Sequence, residues 1–159
     1  MTVRQTNTWP LGLQSEPIAW QQVGMWRPLL AVLAGFAIPG LIAWGLILLA
    51  GVNSAPSALR IHILLVLYAW AGSLIIGWLS LPLTWPLALF LAVKGWAGAT
   101  MVALCAVSIG LVGAHILLHG DLTTEAPEAL PHLFIALVIQ GLCGWAVLWG
   151  LLNRSRKVP

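Results

Sequence analysis

The sequence predicts an all-α fold: an integral membrane four-helix bundle with N and C termini cytoplasmic. Three observations lead there. Of 159 residues, 60% are hydrophobic and only 7% are charged, and the mean hydropathy is +0.97, whereas a soluble domain carries about 25% charged residues. The apolar residues fall into four runs, each long enough to cross about 30 Å of hydrocarbon at 1.5 Å per residue. The basic residues favour the two ends: Arg4, Arg27, Arg154, Arg156 and Lys157 lie there, Lys94 lies in the second loop, the first loop has Arg60 alone, and the third is acidic. Four spans that return both ends to the cytoplasm satisfy this positive-inside bias.

Residues 1–27 form a more polar segment in which Trp9, Trp20 and Trp26 are spaced among Arg4, Gln14, Glu16, Gln21, Gln22 and Arg27. Ser15-Glu16-Pro17 reads as a helix start, with Ile18 to Met25 either a short helix in the headgroup region or part of a loosely ordered tail. The first span, 28–52, has no charge and holds Pro39-Gly40 near its middle, where a kink is expected. It begins too late and runs too long for a cleaved signal peptide. Asn53 to Ser57 is a turn by composition. The second span, 59–80, opens with Arg60 and His62, and Leu81-Pro82-Leu83-Thr84-Trp85-Pro86 is expected to end it.

No proline occurs from Leu87 to His119, so one helix of about 50 Å is allowed there. Lys94 reaching to the headgroups would leave 96–118 as the span. Small residues recur every three or four positions at Ala99, Ala103, Ala106, Gly110 and Gly113, a strip along which lipid-immersed helices approach closely. Lys94, Ser108, His115 and His119 fall within about 60° of each other on the other side of that helix. Polar groups in a span face protein or water, so this helix is expected to be covered on two sides, by a partner membrane subunit or in a homo-oligomer. The fourth span, 131–152, carries Gln140 and the pair Trp145 and Trp149, and a basic tail, 153–159, follows.

The chemistry-bearing residues collect between Gly110 and Gln140, which holds His115, His119 and His132 together with Asp121, Glu125 and Glu128. With four spans, His62 joins them at the outer ends of the helices. His115 and His119 at i,i+4 can offer two imidazoles to one zinc or copper ion, with His132 and Asp121 to complete the set. A haem needs imidazoles on facing helices, for which His62 and His115 are the natural pair. A proton-relay or pH-sensing role and ordinary interfacial residues that bind nothing remain open beside these.

The segment Leu59-Arg60-Ile61-His62 through Leu67-Tyr68-Ala69-Trp70-Ala71-Gly72 to Gly77, followed by Pro82, is similar to the haem-ligating second helix of the haem-copper oxidase and nitric oxide reductase superfamily. The resemblance implies a haem ligand at His62. It covers about residues 59–82, Ala69 stands where that family has glycine, and the chain is far shorter than a catalytic subunit of the family.

Several functions are excluded by what the sequence lacks. There is no Ser/His/Asp set, phosphate loop or paired intramembrane carboxylate for hydrolytic or phosphotransfer chemistry. The dispersed basic residues do not suit a nucleic-acid backbone. Cys105 and Cys143 lie in apolar runs with no Cys-x-x-Cys and read as core residues. The expectation is a non-catalytic accessory subunit of a larger, respiratory or redox membrane complex in a bacterial inner membrane, with a haem or metal site at its outer face. A small oligomeric transporter or channel and a ligand-free assembly factor are the alternatives.

Overall fold

The computed structural model describes residues 9–49, 57–117 and 130–155. These residues are helical apart from short connections and an N-terminal segment, with no strand among them. The helices are α1 (Trp20–Val23), α2 (Trp26–Leu49), α3 (Ser57–Lys94), α4 (Ala99–Leu117) and α5 (Leu130–Ser155). Three segments are long and apolar enough to cross a membrane: Trp26–Leu48, Gly77–Lys94 and Pro131–Asn153. Two shorter apolar stretches, Ile61–Gly72 and Ala99–Val112, lie on α3 and α4. The protein is therefore an integral membrane protein with apolar helices in contact with the bilayer.

The largest departure from the sequence reading is where the chain breaks. Pro82 and Pro86 do not end the second helix; α3 runs through both for 38 residues, a rise of about 57 Å. In an apolar setting, hydroxyl side chains and neighbouring helices can stabilise a helix around proline. Here Ser80 Oγ donates to Gly77 O (2.8 Å) and Thr84 Oγ1 donates to Ser80 O (2.9 Å), flanking the two rings.

The actual break is Gly95 to Gly98, inside the stretch read as one helix. Gly95 has φ +76°, a left-handed conformation that costs little only for glycine. Trp96 N donates to Leu91 O (2.8 Å) and Gly95 N to Ala92 O (3.4 Å), the paired bonds of a Schellman helix end. Lys94 consequently ends α3 and does not share a face with Ser108 and His115. Helix α4 starts at Ala99, three residues after the start expected for a third span.

The N-terminal segment is a strap across this break. Residues 9–19 are non-helical, with a bend at Gly12 and Leu13, and helix α1 is a single turn rather than a helix from Ile18 to Met25. Ala99 N donates to Pro10 O (2.9 Å) and Thr100 N to Leu11 O (3.4 Å), so strap carbonyls satisfy first-turn amides of α4. Thr100 Oγ1 also donates to Leu11 O (2.9 Å). On the α3 side, Ser15 N donates to Gly95 O (2.7 Å) and Ile18 N to Ala92 O (3.3 Å). Ser15 Oγ accepts from Ala97 N (3.2 Å). The strap crosses so close that a Cβ on Gly98 would lie 1.9 Å from Gly12 O.

Helix α5 is the hub of the bundle: α2, α3 and α4 all pack on it, α2 also packs on α3, and α3 and α4 make no extended contact with each other. The α2–α5 seam is built of small residues. A Cβ on Gly144 would come 2.9 Å from Ala31 O, and one on Gly35 2.8 Å from Gln140 O. The α4–α5 seam carries part of the expected small-residue strip: Gly110 faces Leu137 and Ala106 faces Gly141. Ala103 is half-buried, Ala99 is buried at the break, and the surroundings of Gly113 lie outside the described side chains.

Trp145 and Trp149 are buried, at 9% and 4% exposure, and lie in the largest core cluster with Ile18, Val23, Ala92 and Leu148. Both indoles donate to Ala97 O, at 3.2 and 3.0 Å. Trp9 packs on Trp145 with ring centroids 5.3 Å apart. Helix α2 continues unbroken through a buried Pro39.

Candidate functional site

Two regions bring together the polar side chains of the described bundle. The first is the end of the bundle where α3 begins and α5 begins. The parallel packing of α3 beside α5 brings His62, five residues into α3, beside His132, two residues into α5. Nδ1 of His62 lies 2.8 Å from Nε2 of His132. The rings are stacked, with centroids 4.8 Å apart and planes within 10°.

Which of these nitrogens donates and which accepts depends on the tautomer of each ring. A metal needs a wider arrangement: with imidazole–metal bonds of about 2.0–2.1 Å, two nitrogens on one tetrahedral ion stand about 3.3 Å apart, and those on opposite sides of a haem iron about 4 Å. The two rings must part before either group is taken.

His115 is exposed near the end of α4. Among the described residues it makes no hydrogen bond or ring contact with His62 or His132. His119 and Asp121, the other members of the expected metal set, lie outside the described residues, as do Glu125 and Glu128. Among the described residues no three His, Cys, Asp or Glu side chains group as a metal site. The donors are appropriate in kind for zinc, copper or haem, and the contact they form is a hydrogen-bonded pair. The sequence reading joined His62 to His115 by depth. The pairing with His132 follows from α3 neighbouring α5, which helix order alone does not give.

The second region is a cavity of about 460 Å³ among α2, α3, α4 and α5, partly open to the outside. It arises because small residues line it: Gly35 on α2, Ala69 and Ala88 on α3, Ala106 on α4 and Gly141 on α5. Among the described residues no charged side chain lies on its wall. Its polar groups are Ser80, Thr84 and Gln140, with the thiol of Cys105. Gln140 is 7% exposed, the one buried polar residue among those described. It sits about 15 Å into α5 from Leu130. Its side-chain amide has no hydrogen-bond partner among the described residues. Gln140 stands out in the sequence as a polar group at depth, but the space beside it is a product of packing.

No protein-family model matches the chain, and neither a curated protein nor a solved structure matches it.

Proposed function

We propose that the chain is a small four-span accessory subunit of a larger membrane complex of respiratory or redox type, with no catalytic activity of its own. Both termini then lie in the cytoplasm, and the outer-end histidines are available to a haem or metal ion. The observation that carries this reading is the uncovered face of α4. That helix packs on α5 along its small residues. On another face Leu104, Ser108, Val112 and His115 are all exposed at helical spacing. Ser108 Oγ is returned to Leu104 O (2.9 Å), but the His115 imidazole has no such internal partner among the described residues. A histidine on such a face is accommodated better by protein, water or a prosthetic group than by acyl chains. A partner subunit's helix on this face would supply the second cover that the sequence calls for.

The test is purification from native membranes in mild detergent, followed by mass determination, an absorption spectrum and metal analysis. The expected result is a stoichiometric complex with at least one larger membrane chain and a Soret band or a bound transition metal. A stable monomer without partners would overturn the subunit reading. A complex with neither haem nor metal would overturn the role given to the histidines.

A further inference from the structure

We propose that the cavity among α2, α3, α4 and α5 binds an uncharged, membrane-soluble molecule with an apolar body and a carbonyl group, anchored by the side-chain amide of Gln140. The inference stands on the cavity alone and needs no partner subunit.

Polarity defines the occupant first. Among the described residues the wall is apolar apart from Ser80, Thr84, Cys105, Gln140 and the Trp145 indole, whose N–H is given to Ala97 O, and it bears no charged side chain, so a phosphate, carboxylate or ammonium group would find no counter-charge there. The hydroxyl protons of Ser80 and Thr84 are already given to Gly77 O and Ser80 O. Gln140, 7% exposed and without a partner among the described residues, therefore offers the uncommitted N–H donors. A primary amide has two such donors and one acceptor, and a ligand carbonyl meets a donor. A buried amide left unpaired destabilises the fold, and water is a poor substitute where few polar groups converge to hold it.

Size and place narrow the class further. A volume of about 460 Å³ lies within the range of about 300–1,000 Å³ typical of small-molecule sites. A single acyl chain would fit but would leave the amide unmet. The walls belong to the apolar helices, so the molecule arrives from the bilayer. A quinone-like ring on a hydrocarbon chain has the required chemistry.

The purified chain in detergent micelles is titrated with decylubiquinone and, in parallel, with decylbenzene, which keeps ring and chain but lacks carbonyls. Bound molecules are counted by native mass spectrometry. The expected result is one saturable decylubiquinone per chain and decylbenzene binding about tenfold weaker, the worth of one hydrogen bond. Gln140→Leu should lower decylubiquinone binding about tenfold, to the decylbenzene level, while Ala69→Phe, which fills the space, should abolish both. Equal binding of the two probes by the unaltered chain would overturn the proposal without any variant being made. So would the absence of saturable binding, a co-purified phospholipid that decylubiquinone fails to displace, or undiminished binding by a folded Gln140→Leu protein.

Discussion

At the end of the bundle where α3 gives way to α4, the backbone groups freed by the break are taken up by the strap, and two buried tryptophans converge on Ala97 O. At the opposite end, the described contact is one imidazole pair between His62, which is exposed, and His132, which is half-buried. The first end is fixed by non-local hydrogen bonds in an apolar setting, where an unmade bond is expensive. At the second, among the described residues, the His62–His132 pair joins two side chains and engages no backbone group.

This comparison can be broken by substitution, and the largest effect is expected at Gly98. Gly98→Val places side-chain atoms where the strap backbone runs, so the strap must detach; a loss of at least about 3 kcal/mol is expected, read as a large fall in thermal unfolding midpoint in detergent. An unchanged midpoint would mean that the strap contributes nothing to the fold. Trp149→Ala should cost about 3 kcal/mol through the cavity it leaves. Trp149→Phe, which removes the Ala97 bond and keeps most of the volume, should cost about 1 kcal/mol. Gly95→Ala should cost about 1–2 kcal/mol for its positive φ, with more if Ser15 O, 2.8 Å from the new Cβ, cannot shift. The smallest effect is expected for His62→Ala, less than about 1 kcal/mol. A loss at His62 as large as at Gly98 would erase the distinction between the two ends.

The same contrast explains why one end was more legible in the sequence than the other features. Ala106 and Gly110 announce a close-packed strip, and they do meet α5, because small residues at helical spacing report a packing face wherever the partner comes from. Pro82 and Pro86 mislead for the opposite reason. Proline ends a helix in water through its missing N–H and its ring, yet in an apolar bundle the helix continues past both, with Ser80 and Thr84 hydroxyls bonded beside them. Gly95, which the sequence offers as one more small residue of the strip, ends it, and the strap takes Gly95 O and Ala92 O. Trp145 and Trp149 are visible in the sequence as a pair on one helix, but their common partner, the Ala97 carbonyl, comes from the break.

The candidate sites divide along similar lines. His62, His115 and His132 are visible as a set of titratable groups at one end once helix direction alternates. Which two of them touch depends on α3 being beside α5. Gln140 is visible as a polar residue at depth, but its unpartnered amide and the space next to it depend on Gly35, Ala69, Ala106 and Gly141 from four different helices leaving volume in one place.

Hydropathy and charge are local sums, so the sequence by itself determined that this is a helical membrane protein, roughly where its apolar stretches lie, and which end gathers histidine. The tertiary structure alone decided that the chain breaks at Gly95 rather than Pro82, that the N-terminal segment is part of the fold, that α5 is the hub, and that His62 meets His132. Each of those depends on which distant group satisfies a freed carbonyl, amide or imidazole, and no sum over neighbouring residues contains that information.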